Sequence, residues 1–323
     1  MPRRQFFRLT LAAGLGLGAL VATAQTFPSR TVRIIVPATA GSADVFARAL
    51  AQRLAPALGQ PVVVEQKPGA GTNIGNDFVA KAAPDGHTLL INGLPLVTNQ
   101  ALYDQLPYNT MRDLAPVIEV AEVTNVITAH PSLPLSSLRE LVQLARSQPD
   151  KLNYGTPGAG SSGHLSAELL TVKTGAKFTH VPYQGNAQAT NDHLSGVLQV
   201  GFVNLPVGLQ FVKAGRLKAL AVTGARRSAL LPDVPTVAEA LGLPDYELTG
   251  WFGILAPAKT PTDTVARLNG EIAKILKEQG FIDVVKGAGG DVLGGTSAQF
   301  EGRMRRDAER LSEVIKVSGA KAN

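Results

Sequence analysis

Short apolar runs closed by glycine or proline alternate along this chain with longer stretches whose apolar residues recur every three or four positions. TVRIIVP (31–37), rich in β-branched residues and ended by Pro37, predicts a buried strand. After the loop ATAGSA, residues Phe46, Leu50, Leu54 and Leu58 stand four apart. They form the stripe of an amphipathic helix that Asp44 can cap and Gly59 can end. PVVVEQ predicts a second strand. PGAGTNIG (68–75) is a glycine loop leading into a helix through Val79 and Ala82, and HTLLING is a third strand.

The middle repeats the theme. NVITAH predicts a strand, and PLSSLRELVQLARSQ a helix with Ser136 or Ser137 at its cap. KLNYGTP is a strand feeding TPGAGSSGH (156–164), whose helix continues through HLSAELLTVKTG. FTHVPY, LQVGFVNLP and LKALAVTG read as strands, with helices around 187–195 and 207–214 between them. A proline-rich stretch follows. Helices are predicted last at about 261–279 and 297–317, the second with Phe300, Met304, Leu311 and Ile315 on one face.

Strand, loop, helix, strand in this order is the pattern of an α/β fold with a largely parallel sheet. Two such blocks follow one another. The last helices have no sheet of their own, so they are expected to return and cover the first block. That makes a discontinuous first lobe of 25–124 plus 250–323 and a second lobe of 125–249, with chain crossings near 124–126 and 245–251.

Composition changes the picture at the N-terminus. MPRRQFFR is basic, LTLAAGLGLGALV is apolar but too short to span a bilayer comfortably, and ATA at 22–24 is a small-residue cleavage pattern. Residues 1–24 therefore read as an export signal of the Sec or twin-arginine kind. Removing Arg3, Arg4 and Arg8 with it lowers the formal charge from +6 to +3. Lysines and arginines are scattered and aromatics do not interleave with them, so no nucleic-acid partner is expected. With no cysteine, thiolate nucleophiles, disulfides and cysteine-ligated metals are excluded.

Three loops share a recipe: PATAGSAD (37–44), PGAGTNIG (68–75) and TPGAGSSGH (156–164). Each lies between a strand end and a helix start, where open α/β sheets bind ligands. Helix N-termini there present unpaired N–H groups and a partial positive charge, which suits an anion. None of the loops contains lysine or arginine, and the GK[ST] ending of a P-loop is absent. GAGSSG (158–163) matches G-x-G-x-x-G literally, but no acidic residue ends a following strand at the dinucleotide spacing. Around Ser161 and Ser162 the spacing is wrong for a G-x-S-x-G elbow. His164 and Glu168, four apart, suit a helix-surface pair better than a metal site, and Asp192-His193 is expected on a solvated helix face. What remains is reversible capture of a small carboxylate by neutral donors.

RIIVP, GSADVFARALAQRL, LGQPVVVEQKPGAGTNIGNDFVAKAAPDGHTLL and ALYDQLPYN resemble the Bug family of periplasmic solute receptors, TctC-like substrate-binding components of tripartite tricarboxylate transporters. LNYGTPGAGSSGHLSAELL, HVPYQGNA, FVNLP, AGRLKALAVTGARRSALLPDVPTVAEA and WFGILAPAKTP extend the resemblance over the mature chain. It implies a two-lobed type II periplasmic-binding fold that closes like a hinge on a small organic acid, a membrane permease as partner, no cofactor, no metal and a monomeric state. By position it places ligand contacts at Gly41, Ser42 and Ala43, at Ala70, Gly71, Thr72 and Asn73, and at Gly160, Ser161, Ser162 and His164. Tyr183 and Asn204 border the same pocket.

Two departures from the family pattern matter. VPATAGSAD is one residue shorter than the usual VPFxxGGSxD, which leaves contacts from Thr39 to Ser42 open. Val203 stands where the family often has aspartate. If it faces the ligand, it disfavours amino acids and favours an apolar or aromatic acid. Structural alternatives stand beside the site roles. Asn73 and one of the serines can cap helices, and His164 can orient its turn. Tyr183 and Trp251 can be packing residues, and Asn204 can satisfy buried backbone. The functional rivals are an exported hydrolase using Ser161 or Ser162 with His164, a ligand-presenting partner of a sensor, and a protein–protein module.

Overall fold

The computed structural model describes residues 27–39, 41–183 and 186–322. The export segment and Ala40 of the first loop lie outside the described residues. The first block runs β1 (Val32–Val36), α1 (Ser42–Leu58), β2 (Val62–Gln66), a single 3-10 turn (Ala70–Thr72), α2 (Asn73–Ala80), β3 (Thr88–Gly93), α3 (Pro95–Leu102) and α4 (Thr110–Asp113). The long β4 (Leu114–Ala129) leads into the second block: α5 (Leu138–Ser147), β5 (Asn153–Thr156), α6 (Ser162–Thr174), β6 (Thr179–Pro182), α7 (Asn186–Leu194), β7 (Val200–Asn204), α8 (Leu205–Lys213), β8 (Lys218–Val222) and α9 (Val237–Leu241). The chain returns through β9 (Thr249–Pro257), α10 (Thr262–Ile275), α11 (Gln279–Gly287), β10 (Gly290–Val292) and α12 (Ser297–Ser318).

The sheet order is β2-β1-β3-β9-β4-β7-β5-β6, with β10 and β8 both on β4. The expected largely parallel sheet is in fact mixed. β1 pairs in parallel with β2 and β3, and β5 with β6 and β7, but β9 inserts antiparallel between β3 and β4. The sequence pattern missed this because β9 reads as part of the proline-rich stretch and the first half of β4 contains Pro116. β4 belongs to both halves: Leu114–Thr124 pairs with β9, and Asn125–Ala129 pairs with β7 and β8.

Local sequence explains the elements that position the site. In α1 the four-residue stripe Phe46, Leu50, Leu54 and Leu58 is buried, and Gly59 ends the helix in the left-handed conformation. The helix starts earlier than Asp44 predicts: Gly41 is its cap and Asp44 sits in the first turn. In α5, Ser137 and Glu140 form a reciprocal capping box. α10 and α11 pack on the first block beside α1. The stripe of α12 is buried as the pattern predicts, but this helix reaches further than expected, packing on α3 of the first block and α6 of the second.

Candidate binding cleft

The strands of both halves end on one cleft of about 200 Å³. Its first-block wall is Pro37, Ala38, Gly41, Ser42, Ala43, Gly71 and Thr72, with Asn92–Pro95 beneath. The opposite wall is Pro157–Ala159, Ser161, Ser162, Asn186 and Asn204, and the floor is Gly250–Phe252 of β9. Among the described residues no lining side chain is charged. A larger groove of about 510 Å³ lies beside the two crossing strands, but charges of both signs line it, among them Glu122, Arg226, Glu247 and Lys286.

What favours an anion in the cleft is helix ends and not cationic side chains. α1, α2 and α8 open there with Gly41, Thr72 and Asn204 at their caps, and none of the three caps carries a side-chain hydrogen bond. The first N–H of α2, at Asn73, donates to Ala70 O and Pro206 in the first turn of α8 has none, but each helix end still favours an anion by about 0.3–1 kcal/mol, up to about 2 when partly buried. Asp44, the nearest acid in α1, is turned aside. It accepts from Arg48 Nε at 2.7 Å and Gln66 Nε2 at 2.8 Å, and the Arg48 bond holds its carboxyl below the usual range.

Thr72 is the most telling donor. Gly71 and the non-glycine residues Ala70 and Thr72 take φ of 60°, 47° and 79°, a left-handed turn costing about 1–2 kcal/mol for each residue with a β-carbon. Hydrogen bonds behind the turn offset that strain. Asn99 Nδ2 donates to Gly71 O at 2.7 Å and to Asn73 Oδ1 at 2.8 Å, and Tyr108 donates to the same Oδ1 at 2.6 Å. Thr72 Oγ1 accepts from Asn76 and Asn92.

On the other wall, Asn125 Oδ1 accepts from Ser162 Oγ at 3.1 Å and Asn204 Nδ2 at 2.9 Å. Asn125 Nδ2 donates to Ser166, which donates in turn to the Ser162 carbonyl. Ser161 caps α6, its Oγ accepting from His164 N.

The structure therefore gathers Gly41, Ser42, Ala43, Gly71, Thr72, Ser161, Ser162 and Asn204 around one space. It places the other sequence-derived candidates outside the cleft lining. Asn73 is buried and faces Asn99 and Tyr108. Ala70 lines a separate surface groove with Tyr103 and Leu106. Gly160 is buried against α3, its N–H donating to His164 Nδ1 at 3.1 Å. Tyr183 donates to Asp192 at 2.6 Å.

His164 lies in the core, stacked on His180 with ring centroids 4.2 Å apart, and Glu168 stands 3.7 Å from its Nε2. Burial, with His180 adding, holds its pKa down to about 3. So the pair with Glu168 is not a helix-surface pair. Among the described residues no hydrogen bond joins the His164 ring to Ser161 or Ser162. His193 too is buried, bonded to Thr128 and the Leu198 carbonyl, and not on a solvated face. Val203 packs with Val126, Leu205 and Val222, outside the cleft lining. Trp251 is part of the floor, and its Nε1–H donates to Asp307 on α12.

Asn92, Gly93, Asn125, Gly250 and Phe252 were missed from sequence. Asn92 and Gly93 end the strand HTLLING, and the rule that ligands sit at strand ends points to them. The others lie at or beside the crossings expected near 124–126 and 245–251, but only tertiary pairing brings those crossings to the cleft.

Residues 46–319 match the family described as tripartite tricarboxylate transporter family receptor. The chain belongs to this family. This receptor is 36% identical over 312 residues to Protein BugT of Bordetella pertussis, covering 96% of this chain and 95% of that one. Among solved structures it is similar to Rpa4515 of R. palustris with adipate, at 36% identity and TM-score 0.84 over 91% of this chain and 99% of that chain. MatC from Rhodopseudomonas palustris with bound malate matches at 30% identity and TM-score 0.81, over 90% and 100% of the two chains. The tripartite tricarboxylate transporter receptor is thus a two-lobed α/β solute-binding protein and not an enzyme. Its family members are periplasmic binding proteins, and no helix among its described residues is long and apolar enough to cross a membrane.

Proposed function

We propose that this receptor captures a small organic carboxylate between a lobe of 25–124 plus 250–323 and a lobe of 125–249. It closes on the acid by hinge rotation and passes it to a membrane permease from the periplasm. The site is the set gathered around the cleft, above all Thr72, Ser162, Asn204 and the N-termini of α1 and α2. The observation that carries the reading is the convergence of three helix starts without side-chain caps and a hydroxyl donor on a space where no described lining side chain is charged. A carboxylate gains from every one of these groups, whereas an ammonium finds no countercharge. Pro37, Leu94, Pro95 and Phe252 offer apolar surface to the rest of the acid. Adipate and malate in the related structures fit the same class.

Ligand contacts from both walls exist together only when the lobes are close, so binding shifts the population toward the closed form. A thermal-shift series with adipate, malate, citrate, benzoate and glutamate tests this. At least one acid without an ammonium group raises the melting temperature by several degrees, and glutamate does not, because a ligand of the folded state alone must stabilise it. Stabilisation by neutral sugars or divalent metals, with none by the acids, refutes the proposal.

A further inference from the structure

We infer that a buried asparagine relay behind the first wall makes Thr72 an obligate hydrogen-bond donor, with Asn76 as the positioning residue that enforces it. This rests on the carboxylate reading and names what selects for it.

The direction of the relay is set by backbone. Gly93 N–H donates to Asn92 Oδ1 at 2.8 Å, so the oxygen of that amide is committed and its Nδ2 must face the other way. Asn92 Nδ2 then donates to Asn76 Oδ1 at 2.8 Å and to Thr72 Oγ1 at 3.2 Å. With its oxygen taken, Asn76 turns Nδ2 to the Tyr108 hydroxyl at 2.9 Å and to Thr72 Oγ1 at 3.3 Å. Tyr108 passes its own proton on to Asn73 Oδ1. Every amide orientation follows from one peptide N–H.

A threonine hydroxyl holds two lone pairs and one proton. Both lone pairs of Thr72 are occupied by amide donors arriving from behind, so what remains for the cleft is the proton. A ligand atom at Thr72 has to be an acceptor. Asn76 is fully buried and does not line the cleft, so it acts on a ligand only through the side chains it holds, Thr72 and the lining Asn92.

A double-mutant cycle separates this from a structural role. Acetate, the minimal carboxylate, is titrated into ¹⁵N-labelled full-length protein and its affinity read from amide shifts. Thr72→Val, which keeps the shape and loses the hydroxyl, is expected to weaken acetate five- to twentyfold, while Thr72→Ser retains binding. Asn76→Leu frees a lone pair and lets the hydroxyl rotate, weakening acetate three- to tenfold. In Thr72→Val the same Asn76 change has no further effect. If Asn76→Leu fails to fold, Asn76→Ala takes its place in the cycle. Losses that simply multiply in the double variant, or full affinity in Thr72→Val, overturn the inference while leaving the receptor reading intact. If acetate and all the acids above leave wild type unmoved, the receptor reading itself falls.

Discussion

At the scale of single residues, the two walls of the cleft are not equivalent. Among the described residues nothing accepts the Thr72 proton, whereas Ser162 Oγ donates to Asn125 Oδ1 and accepts from Asn204 at 3.4 Å. A ligand at Ser162 must displace a bond already made, so the net gain there is smaller. Thr72→Val should therefore cost about 1–3 kcal/mol of binding free energy, and Ser162→Ala less than about 1 kcal/mol, since Asn125 Oδ1 keeps its bond from Asn204. Isothermal titration of both variants with the acid that most stabilises wild type checks the order, and a greater loss in Ser162→Ala contradicts it. The glycine loops that frame these residues were legible in sequence because strand, glycine and small polar residue recur together. The relay behind Thr72 was not. Asn73, Asn76, Asn92 and Asn99 follow no period, and their meaning lies in which lone pair each satisfies after folding.

At the scale of elements, three histidines are packed neutral between strands and helices of the second block. Burial holds His180 and His193 down to about 4, and burial with the neighbouring His180 holds His164 to about 3. Their folded values lie below the ordinary 6.5. As pH falls below 6.5 the unfolded chain takes up protons that the fold refuses, and stability drops until the folded values are reached. Each histidine contributes a slope of up to about 1.4 kcal/mol per pH unit in that window. Glu119 works the other way. Burial raises its carboxyl to about 7, with Glu122 and Asp307 adding to the rise against the opposing Arg303. Its contribution is present at low pH and lost as pH rises from 4.5 through 7, and Glu168, also raised by burial, acts in the same direction, so the two offset part of what the three histidines lose. The melting temperature should fall clearly between pH 6.5 and 4.5, and a flat or rising profile in circular dichroism melts would contradict this burial pattern.

The helices and most strands of that block were readable from period and caps, as Ser137 at α5 shows. His193 was misread because its neighbours Asn191 and Asp192 are polar, while its own position on α7 faces the β4–β7 pair. α11 and the three-residue β10 carry too little pattern to be told from the loops around them.

For the whole molecule, glycines mark where the halves touch. A β-carbon on Gly160 would come within 2.8 Å of Leu102 on α3, and one on Gly289 within 2.6 Å of Pro206 at the start of α8. One on Gly250 would stand 3.2 Å from Ser162 at the cleft floor. Gly160 and Gly289 also have positive φ, so substitution there strains the backbone as well as the contact. Gly250 does not, which makes it the cleaner probe of closure. Its neighbour across the contact belongs to the other wall, so bulk at 250 wedges the walls apart without disturbing either core. Gly250→Val is expected to keep a melting temperature within a few degrees of wild type and to lose at least tenfold in acid affinity. Its radius of gyration in X-ray scattering should stay at the open value when the acid is added, while that of wild type contracts. A Gly250→Val protein that contracts and binds like wild type would place the closing contact elsewhere and detach the hinge from this floor.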